Sequence, residues 1–115
     1  MSESTQELPL EISVEQTRAA LGNEPCPVLL DCRTLAEWEI ARLEQAKLLP
    51  MQELIERLEE LEPHREEALI VHCHHGGRSL QVVAWLRQQG FSQAQSMEGG
   101  IDAWSVSIDS AVPRY

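Results

Sequence analysis

Two short, uninterrupted apolar runs stand out in the hydrophobic pattern of the chain, Val28-Leu29-Leu30 and Ala68-Leu69-Ile70-Val71. Runs of this length without alternating polar positions are typical of strands that are covered on both faces of a mainly parallel sheet. Residues 8–12 instead alternate between apolar residues and polar residues or proline, which predicts a short strand. Pro9 would restrict that strand to a sheet edge, because proline cannot donate a backbone hydrogen bond. The pattern therefore predicts two central strands and one edge strand.

Helical spacing predicts three helices between and after these strands. Ser13 and Gln16 form a capping box for a helix over residues 14–21, which Gly22-Asn23 would end. Residues 80–89 are apolar around much of the helical circumference, so this helix should pack against the sheet and end at Gly90. The clearest amphipathic helix is predicted over residues 51–61, where one face is apolar and the other is acidic. The apolar face comprises Met51, Leu54, Ile55, Leu58 and Leu61, and the acidic face comprises Glu53, Glu56, Glu59, Glu60 and Glu62.

The alternation of strand-like and helix-like segments predicts an α/β fold, with a central, mainly parallel β-sheet and helices on both faces. The chain has 115 residues, of which 43% are hydrophobic, and this size suits one compact domain over residues 1–115. In such folds the functional sites form at the carboxyl ends of the strands.

Charge and composition restrict the classes of partner. The chain carries 19 acidic and 9 basic residues, a formal net charge of −10, which argues against binding to nucleic acid or to anionic membranes. It contains no apolar stretch near the ~20 residues that a membrane span requires, and its first residues lack the features of a secretory signal. Three irregularly spaced cysteines do not form a disulfide framework and fit a reducing compartment. These features predict a cytoplasmic protein.

The strongest chemical signal is Cys73-His74-His75-Gly76-Gly77-Arg78-Ser79, which lies between the second apolar run and the last predicted helix. Backbone amides at a helix N-terminus stabilise a nearby negative charge, and the thiolate is the reactive form of cysteine. The paired glycines are expected to turn the backbone with positive φ, so that the loop amides converge on one point. Arg78 would add a fixed positive charge. Cys73 is therefore the candidate nucleophile.

Two further segments join this loop in a resemblance to a known family. The loop reads Cys-x-x-Gly-x-Arg-Ser, upstream stand Leu29-Leu30-Asp31-Cys32-Arg33 and Glu37-Trp38, and downstream stands Glu98-Gly99-Gly100-Ile101-Asp102-Ala103-Trp104. Together, and in this order, they resemble the signatures of the rhodanese (sulfurtransferase) family. The resemblance implies the rhodanese-like three-layer fold over a signature-bearing region of about residues 8–105. The C-terminal tail, residues 106–115, has no pattern that assigns it a role.

The resemblance implies that Cys73 accepts sulfane sulfur as a persulfide. The donor would be thiosulfate or another persulfide, and the acceptor cyanide, a thiol or a partner protein. The scheme is covalent, ping-pong catalysis and implies no metal or organic cofactor. His74 and His75 stand where thiosulfate-using members often carry Arg or Lys. Since neutral imidazole is the major form at pH 7, anion binding is expected to be weaker and sensitive to pH.

Several neighbouring residues are assigned supporting roles. Asp31 is predicted to anchor nearby backbone amides, and Arg33 is predicted to form a structural ion pair with Glu37, four residues away. Cys32 is a hypothetical second thiol, which could capture a persulfide or form a disulfide if it lies within reach of Cys73. No metal site is predicted around Cys73, because adjacent ligands cannot easily surround one ion.

Alternative functions remain open at this point. Rhodanese folds also serve as non-catalytic or regulatory interaction modules, which often lack the cysteine. Cell-cycle phosphatases that share this fold use a Cys-x5-Arg loop, one residue longer than the loop between Cys73 and Arg78, so phosphatase or arsenate reductase activity is a second alternative. The acidic surface could select a basic sulfur acceptor. The donor, the acceptor and the oligomeric state do not follow from the sequence.

Overall fold

The computed structural model describes residues 8–115, which form one five-stranded, all-parallel β-sheet with helices around it. The strands are β1 (Glu11–Ile12), β2 (Val28–Asp31), β3 (Lys47–Leu48), β4 (Leu69–His72) and β5 (Ala94–Met97), in the spatial order β1-β5-β4-β2-β3. The α-helices are α1 (Val14–Leu21), α2 (Leu35–Ile40), α3 (Gly77–Gln88) and α4 (Gly100–Ser107). No helix within residues 8–115 has the length and apolar character needed to cross a bilayer.

The central strands bury side chains on both faces of the sheet. Along β4, Leu69 and Val71 belong to one core cluster, whereas Ile70 belongs to the other. Helix α3 packs on the first face, and α1 and α4 pack on the second. This arrangement confirms the predicted three layers, and it explains why the runs in β2 and β4 contain no alternating polar residues.

The first helix confirms its predicted bounds and its capping box. The Ser13 hydroxyl accepts a hydrogen bond from the Gln16 amide at 3.0 Å, and the Gln16 side chain accepts one from the Ser13 amide at 2.8 Å. Gly22 follows the last residue of the helix. A cap of this kind stabilises a helix by about 1 kcal/mol. The predicted edge strand is also confirmed, since β1 pairs only with β5 among the described strands.

The prediction of one amphipathic α-helix over residues 51–61 is wrong. The segment contains two 3₁₀-helical pieces, Met51–Glu53 and Leu58–His64, joined by turns. Four of the five predicted apolar side chains still contact the core beneath α3, but Ile55 is 76% exposed. The inward face was therefore identified correctly, although the backbone conformation was not.

Like charges, and a proline just beyond the predicted segment, disfavour a regular α-helix in this part of the chain. Pro63 lies inside the second piece, where it cannot donate to a carbonyl four residues earlier, and it disfavours the α conformation at Glu62. Glu56 and Glu60 would also repel each other one turn apart on an α-helix. Backbone bonds that span three residues, such as the Leu54 amide to the Met51 carbonyl, bring the apolar side chains to the core without one continuous helix.

Candidate active site

Cys73 lies directly after β4, at the carboxyl edge of the sheet, as the sequence predicted. Helix α3 begins at Gly77, three residues earlier than the predicted start, so Arg78 and Ser79 belong to its first turn. Between the strand and the helix, Gly76 adopts a φ of +104°, which only glycine accepts without strain. The chain turns back at this point and brings the start of α3 over the Cys73 sulfur.

Two backbone amides and one hydroxyl surround that sulfur. The Gly76 amide lies 3.1 Å and the Ser79 amide 3.3 Å from Cys73 Sγ, and Ser79 Oγ lies at 3.5 Å. Sequence reasoning expected positive φ at both glycines, but Gly77 is not among the residues with positive φ. The observed cradle is therefore smaller than the predicted nest, and Gly76 and Ser79 form it.

The surroundings of Cys73 favour its thiolate. A hydrogen bond from the Cys32 thiol lowers the pKa of Cys73 most, and the Ser79 hydroxyl and the amides of Ser79 and Gly76 lower it further. Burial opposes these contacts, but the pKa still lies well below its ordinary value. Because the donors belong to the backbone and to buried side chains, the thiolate is stabilised mainly by fixed dipoles.

This lowered pKa predicts a nearly pH-independent thiolate. Alkylation of Cys73 by iodoacetamide should change less than about threefold between roughly pH 6 and pH 8, whereas the rate for an ordinary thiol rises about 80-fold. The thiolate is retained as pH falls through the ordinary thiol range and is lost only near the lowered pKa. Mass spectrometry of the Cys73 peptide measures the rate, with a free peptide thiol as reference. A rate that follows the reference thiol would contradict the dipole cradle.

Ser96 completes the cradle from the neighbouring strand, a role that sequence reasoning missed. Its hydroxyl lies 2.7 Å from the Ser79 hydroxyl, and both side chains are fully buried. When Ser96 donates to Ser79, the Ser79 proton is free to point at the Cys73 thiolate. Strand β5 reads Ala-Gln-Ser-Met and has no continuous apolar run, so neither the strand nor its serine gave a signal.

Arg78 and Glu37 form a bidentate ion pair at the rim of the loop. The two nitrogen–oxygen distances are 2.7 and 2.9 Å, and Arg78 holds the pKa of the Glu37 carboxyl well below its usual range. The predicted ion pair between Arg33 and Glu37 is therefore wrong, because the Glu37 side chain turns towards α3. The Arg78 guanidinium is therefore occupied by Glu37 and does not face the loop as an unpaired charge.

Arg33 pairs instead with Asp31, and both side chains are completely buried. Arg33 Nε lies 2.9 Å from Asp31 Oδ1, and Nη2 lies 2.6 Å from Oδ2. Asp31 also accepts the Arg33 amide at 3.0 Å, which confirms its predicted role as an anchor of backbone. Arg33 further donates to the Ala41 carbonyl at 2.6 Å, so this pair fixes the chain between β2 and β3.

The C-terminal tail folds back onto the site, although its sequence gave no sign of a role. The Tyr115 ring stacks on the His74 ring with a centroid distance of 3.8 Å and an angle of 7°. The Tyr115 hydroxyl donates to Glu37 at 2.7 Å and accepts from Arg33 at 2.7 Å. Burial and the Glu37 carboxylate raise the pKa of Tyr115 to about 12, so the phenol remains protonated as this donor. His75 is exposed and lies beside His74, with ring centroids 3.9 Å apart.

Residues 8–115 contain no group of three or more His, Cys, Asp or Glu side chains placed to hold one ion. Within the same part of the chain, the Nε2 atoms of His72 and His74 are buried without a hydrogen-bond partner. Burial lowers the pKa of His72, and its imidazole is neutral beneath the loop.

Comparison with known proteins agrees with this geometry. The family model of the rhodanese-like domain matches residues 13–107. The chain belongs to this family. This rhodanese-like domain is 34% identical over 95 residues to a sulfurtransferase of Allochromatium vinosum, covering 83% of this chain and 87% of that protein. A crystal structure of a rhodanese-like domain protein from Staphylococcus aureus superposes with a TM-score of 0.78 at 26% identity, covering 93% of this chain and 99% of the other.

Some relatives of this rhodanese-like domain are much longer. A rhodanese-like/PpiC domain-containing protein 12 of Arabidopsis thaliana is 35% identical over 91 residues, which cover 76% of this chain. The match spans 30% of that plant protein, so the chain corresponds to less than a third of its length. The similarity therefore supports a rhodanese-like domain with sulfurtransferase relatives.

Proposed function

We propose that the protein is a sulfurtransferase in which Cys73 carries sulfane sulfur as a persulfide. The observation that supports this most directly is the placement of the Cys73 sulfur at 3.1 and 3.3 Å from the amides of Gly76 and Ser79. These donors stabilise a thiolate before the reaction and a persulfide anion after it. A cysteine with a lowered pKa, held by preorganised dipoles, is suited to nucleophilic catalysis.

In the proposed first half-reaction, the Cys73 thiolate attacks the outer sulfur of thiosulfate. A bond forms between Cys73 Sγ and that sulfur, the sulfur–sulfur bond of thiosulfate breaks, and sulfite leaves with the bonding electron pair. Cys73 is only 1% exposed, so access favours a donor with a terminal sulfur atom, as in thiosulfate or a small persulfide. In the second half-reaction, cyanide, a thiol or a partner protein removes the sulfur and restores the thiolate.

The rival functions are less consistent with the site. Four residues separate Cys73 from Arg78, and the guanidinium is engaged by Glu37, so it is not free to hold a tetrahedral phosphate. A purely non-catalytic interaction module would have no need of a cysteine whose pKa is lowered by surrounding donors. We therefore place sulfur transfer first, with the interaction module as the alternative.

The proposal is tested by intact mass of the protein after brief incubation with thiosulfate. The reductant-free Cys32→Ser protein should gain one sulfur, and cyanide should remove that sulfur as thiocyanate. A Cys73→Ala variant, made in the same background, should gain none. Cys32→Ser is the starting protein because its serine can still donate a hydrogen bond to Cys73 but cannot exchange sulfur.

Failure of small donors to add a sulfur would contradict the proposal. If neither thiosulfate nor a glutathione persulfide adds a sulfur to a folded Cys32→Ser protein, Cys73 is not a persulfide carrier for small donors. Circular dichroism of each variant establishes that the protein is folded. Sulfur gain that persists in Cys73→Ala would place the chemistry on another residue.

A further inference from the structure

Cys32 is the strand neighbour of Cys73. In the β2–β4 ladder Asp31 stands opposite His72, and the Cys32 amide donates to the His72 carbonyl at 3.0 Å. The parallel register therefore places Cys32 opposite Cys73, one residue beyond the paired strands. Neighbouring strands lie about 4.8 Å apart, and disulfides join Cα atoms about 4.4–6.8 Å apart. The backbone thus sets the two cysteines at a separation that a disulfide can bridge.

Both side chains also point into the same space. Cys32 and Cys73 belong to one core cluster, on the sheet face covered by α3, and they are 3% and 1% exposed. The neighbouring Cys32 thiol is the group that most lowers the pKa of Cys73. Contact between the two groups, together with burial and the negative charge on Cys73, raises the pKa of Cys32 far above its ordinary value. Cys32 is therefore a protonated thiol beside an ionised one, shielded from reagents in solution.

We propose that Cys32 discharges the Cys73 persulfide internally, releasing sulfide and leaving a Cys32–Cys73 disulfide. The inference rests on the persulfide proposed above and adds an outcome that needs no external acceptor. Because Cys32 is buried beside Cys73, the persulfide on Cys73 is the reactive sulfur that lies within reach of the Cys32 thiol. The third cysteine, Cys26, is exposed and lies in the loop before β2, at the opposite end of that strand.

The step balances without an outside oxidant. Cys32 Sγ bonds to Cys73 Sγ, the bond between Cys73 Sγ and the sulfane sulfur breaks, and hydrosulfide leaves with the bonding electron pair. The Cys32 thiol proton goes to the departing sulfur. Two electrons pass to the sulfane sulfur, which is reduced to sulfide while the two cysteines are oxidised to the disulfide. A dithiol reductant returns both cysteines to their starting state.

This chemistry gives the site two outcomes. An acceptor that reaches the outer sulfur first receives sulfane sulfur and leaves the Cys73 thiolate ready for another cycle. Without such an acceptor, Cys32 ends the cycle and the protein remains in the disulfide form. A dithiol then reduces the disulfide, and thiosulfate can begin another cycle that ends in sulfide.

A single-turnover experiment tests the step in a Cys26→Ser background, which removes the exposed thiol. Reductant-free protein is mixed with thiosulfate, and sulfide and intact mass are followed together. We expect one sulfide per chain and a protein lighter by two hydrogens, a change that dithiothreitol reverses. Adding Cys32→Ser should stop sulfide release and leave the protein heavier by one sulfur until cyanide is added. Cys32→Ala serves the same purpose if the serine variant does not fold.

The outcomes separate this step from sulfur transfer itself. If the Cys26→Ser protein keeps the added sulfur and releases no sulfide, the internal discharge is wrong while the persulfide proposal stands. If the Cys32→Ser protein gains no sulfur, the persulfide proposal fails for thiosulfate. In that case, oxidation of the folded Cys26→Ser protein by diamide tests the pair directly. Failure of diamide to join Cys32 to Cys73 would remove the geometric basis of the inference as well.

Discussion

Gly100→Ala is expected to lower kcat/KM for sulfur transfer by about 100-fold or more, because a displacement of about 1 Å in a catalytic loop has effects of that size. Gly100 has a φ of +63°, and an added Cβ would lie 2.5 Å from the Cys73 carbonyl oxygen and closer still to that of His74. The Ile101 and Asp102 amides hydrogen bond to these same carbonyls at 2.8 and 3.1 Å. The start of α4 therefore holds the cysteine loop by direct backbone contact, which leaves no flexible side chain to move aside.

The matched control for this variant is Gly22→Ala. Gly22 has a φ of −90°, and its added Cβ would meet nothing nearer than 3.6 Å. This substitution should leave kcat/KM unchanged and alter stability by no more than about 0.5 kcal/mol. Steady-state thiocyanate formation and urea unfolding measure the two quantities. A Gly100→Ala protein with full activity would show that the loop does not depend on this close approach.

The parts of the fold that sequence predicts well are those decided by local chemistry. The capping box of Ser13 and Gln16 closes within four residues, so its effect does not depend on the rest of the chain. The apolar runs of β2 and β4 reflect burial on both faces, which is a property of each run by itself. The position of Cys73 then follows, because a glycine-rich turn comes after such a run.

The parts that sequence missed depend on contacts between distant segments. Ser96 acts on the cradle because β5 pairs with β4, and Tyr115 reaches Arg33 across 82 positions of chain. The partner of Glu37 was assigned by spacing along a turn, but the preferred partner is Arg78, 41 positions away. A short spacing shows which residues can meet, whereas the folded chain decides which pairing is formed.

The cysteine pair lies between these two cases. The sequence identifies Cys32 and Cys73 as residues that follow two buried strands, but it does not specify the order of those strands. Their contact appears only when β2 and β4 are adjacent and in a register that sets Asp31 opposite His72. A shift of the register by one residue would send the two side chains to opposite faces of the sheet. The chemistry proposed for Cys32 is thus a consequence of strand order and register.

Arg33→Met is expected to destabilise the protein by about 3–5 kcal/mol, because it leaves a buried carboxylate without its charged partner. Arg33 and Asp31 are both fully buried, and Arg33 supports the chain after α2 through the Ala41 carbonyl. Loss of the guanidinium also removes one partner of the Tyr115 hydroxyl, so the tail should loosen over His74. Urea unfolding measures the stability, and proteolysis near the C-terminus measures the tail.

Arg57→Met provides the comparison that separates burial from charge. Arg57 is paired with Glu53 at 2.9 Å and with Glu60 at 2.8 Å, but its side chain is 31% exposed and each glutamate is more exposed still. Exposed ion pairs contribute about 0–1 kcal/mol, so this variant should unfold close to the wild-type urea concentration.

The Asp31→Leu, Arg33→Met double variant should be more stable than Arg33→Met, because it removes the unpaired buried charge. A double variant that is less stable than the single one would mean that the Asp31 hydrogen bond to the Arg33 amide outweighs the cost of the lone carboxylate.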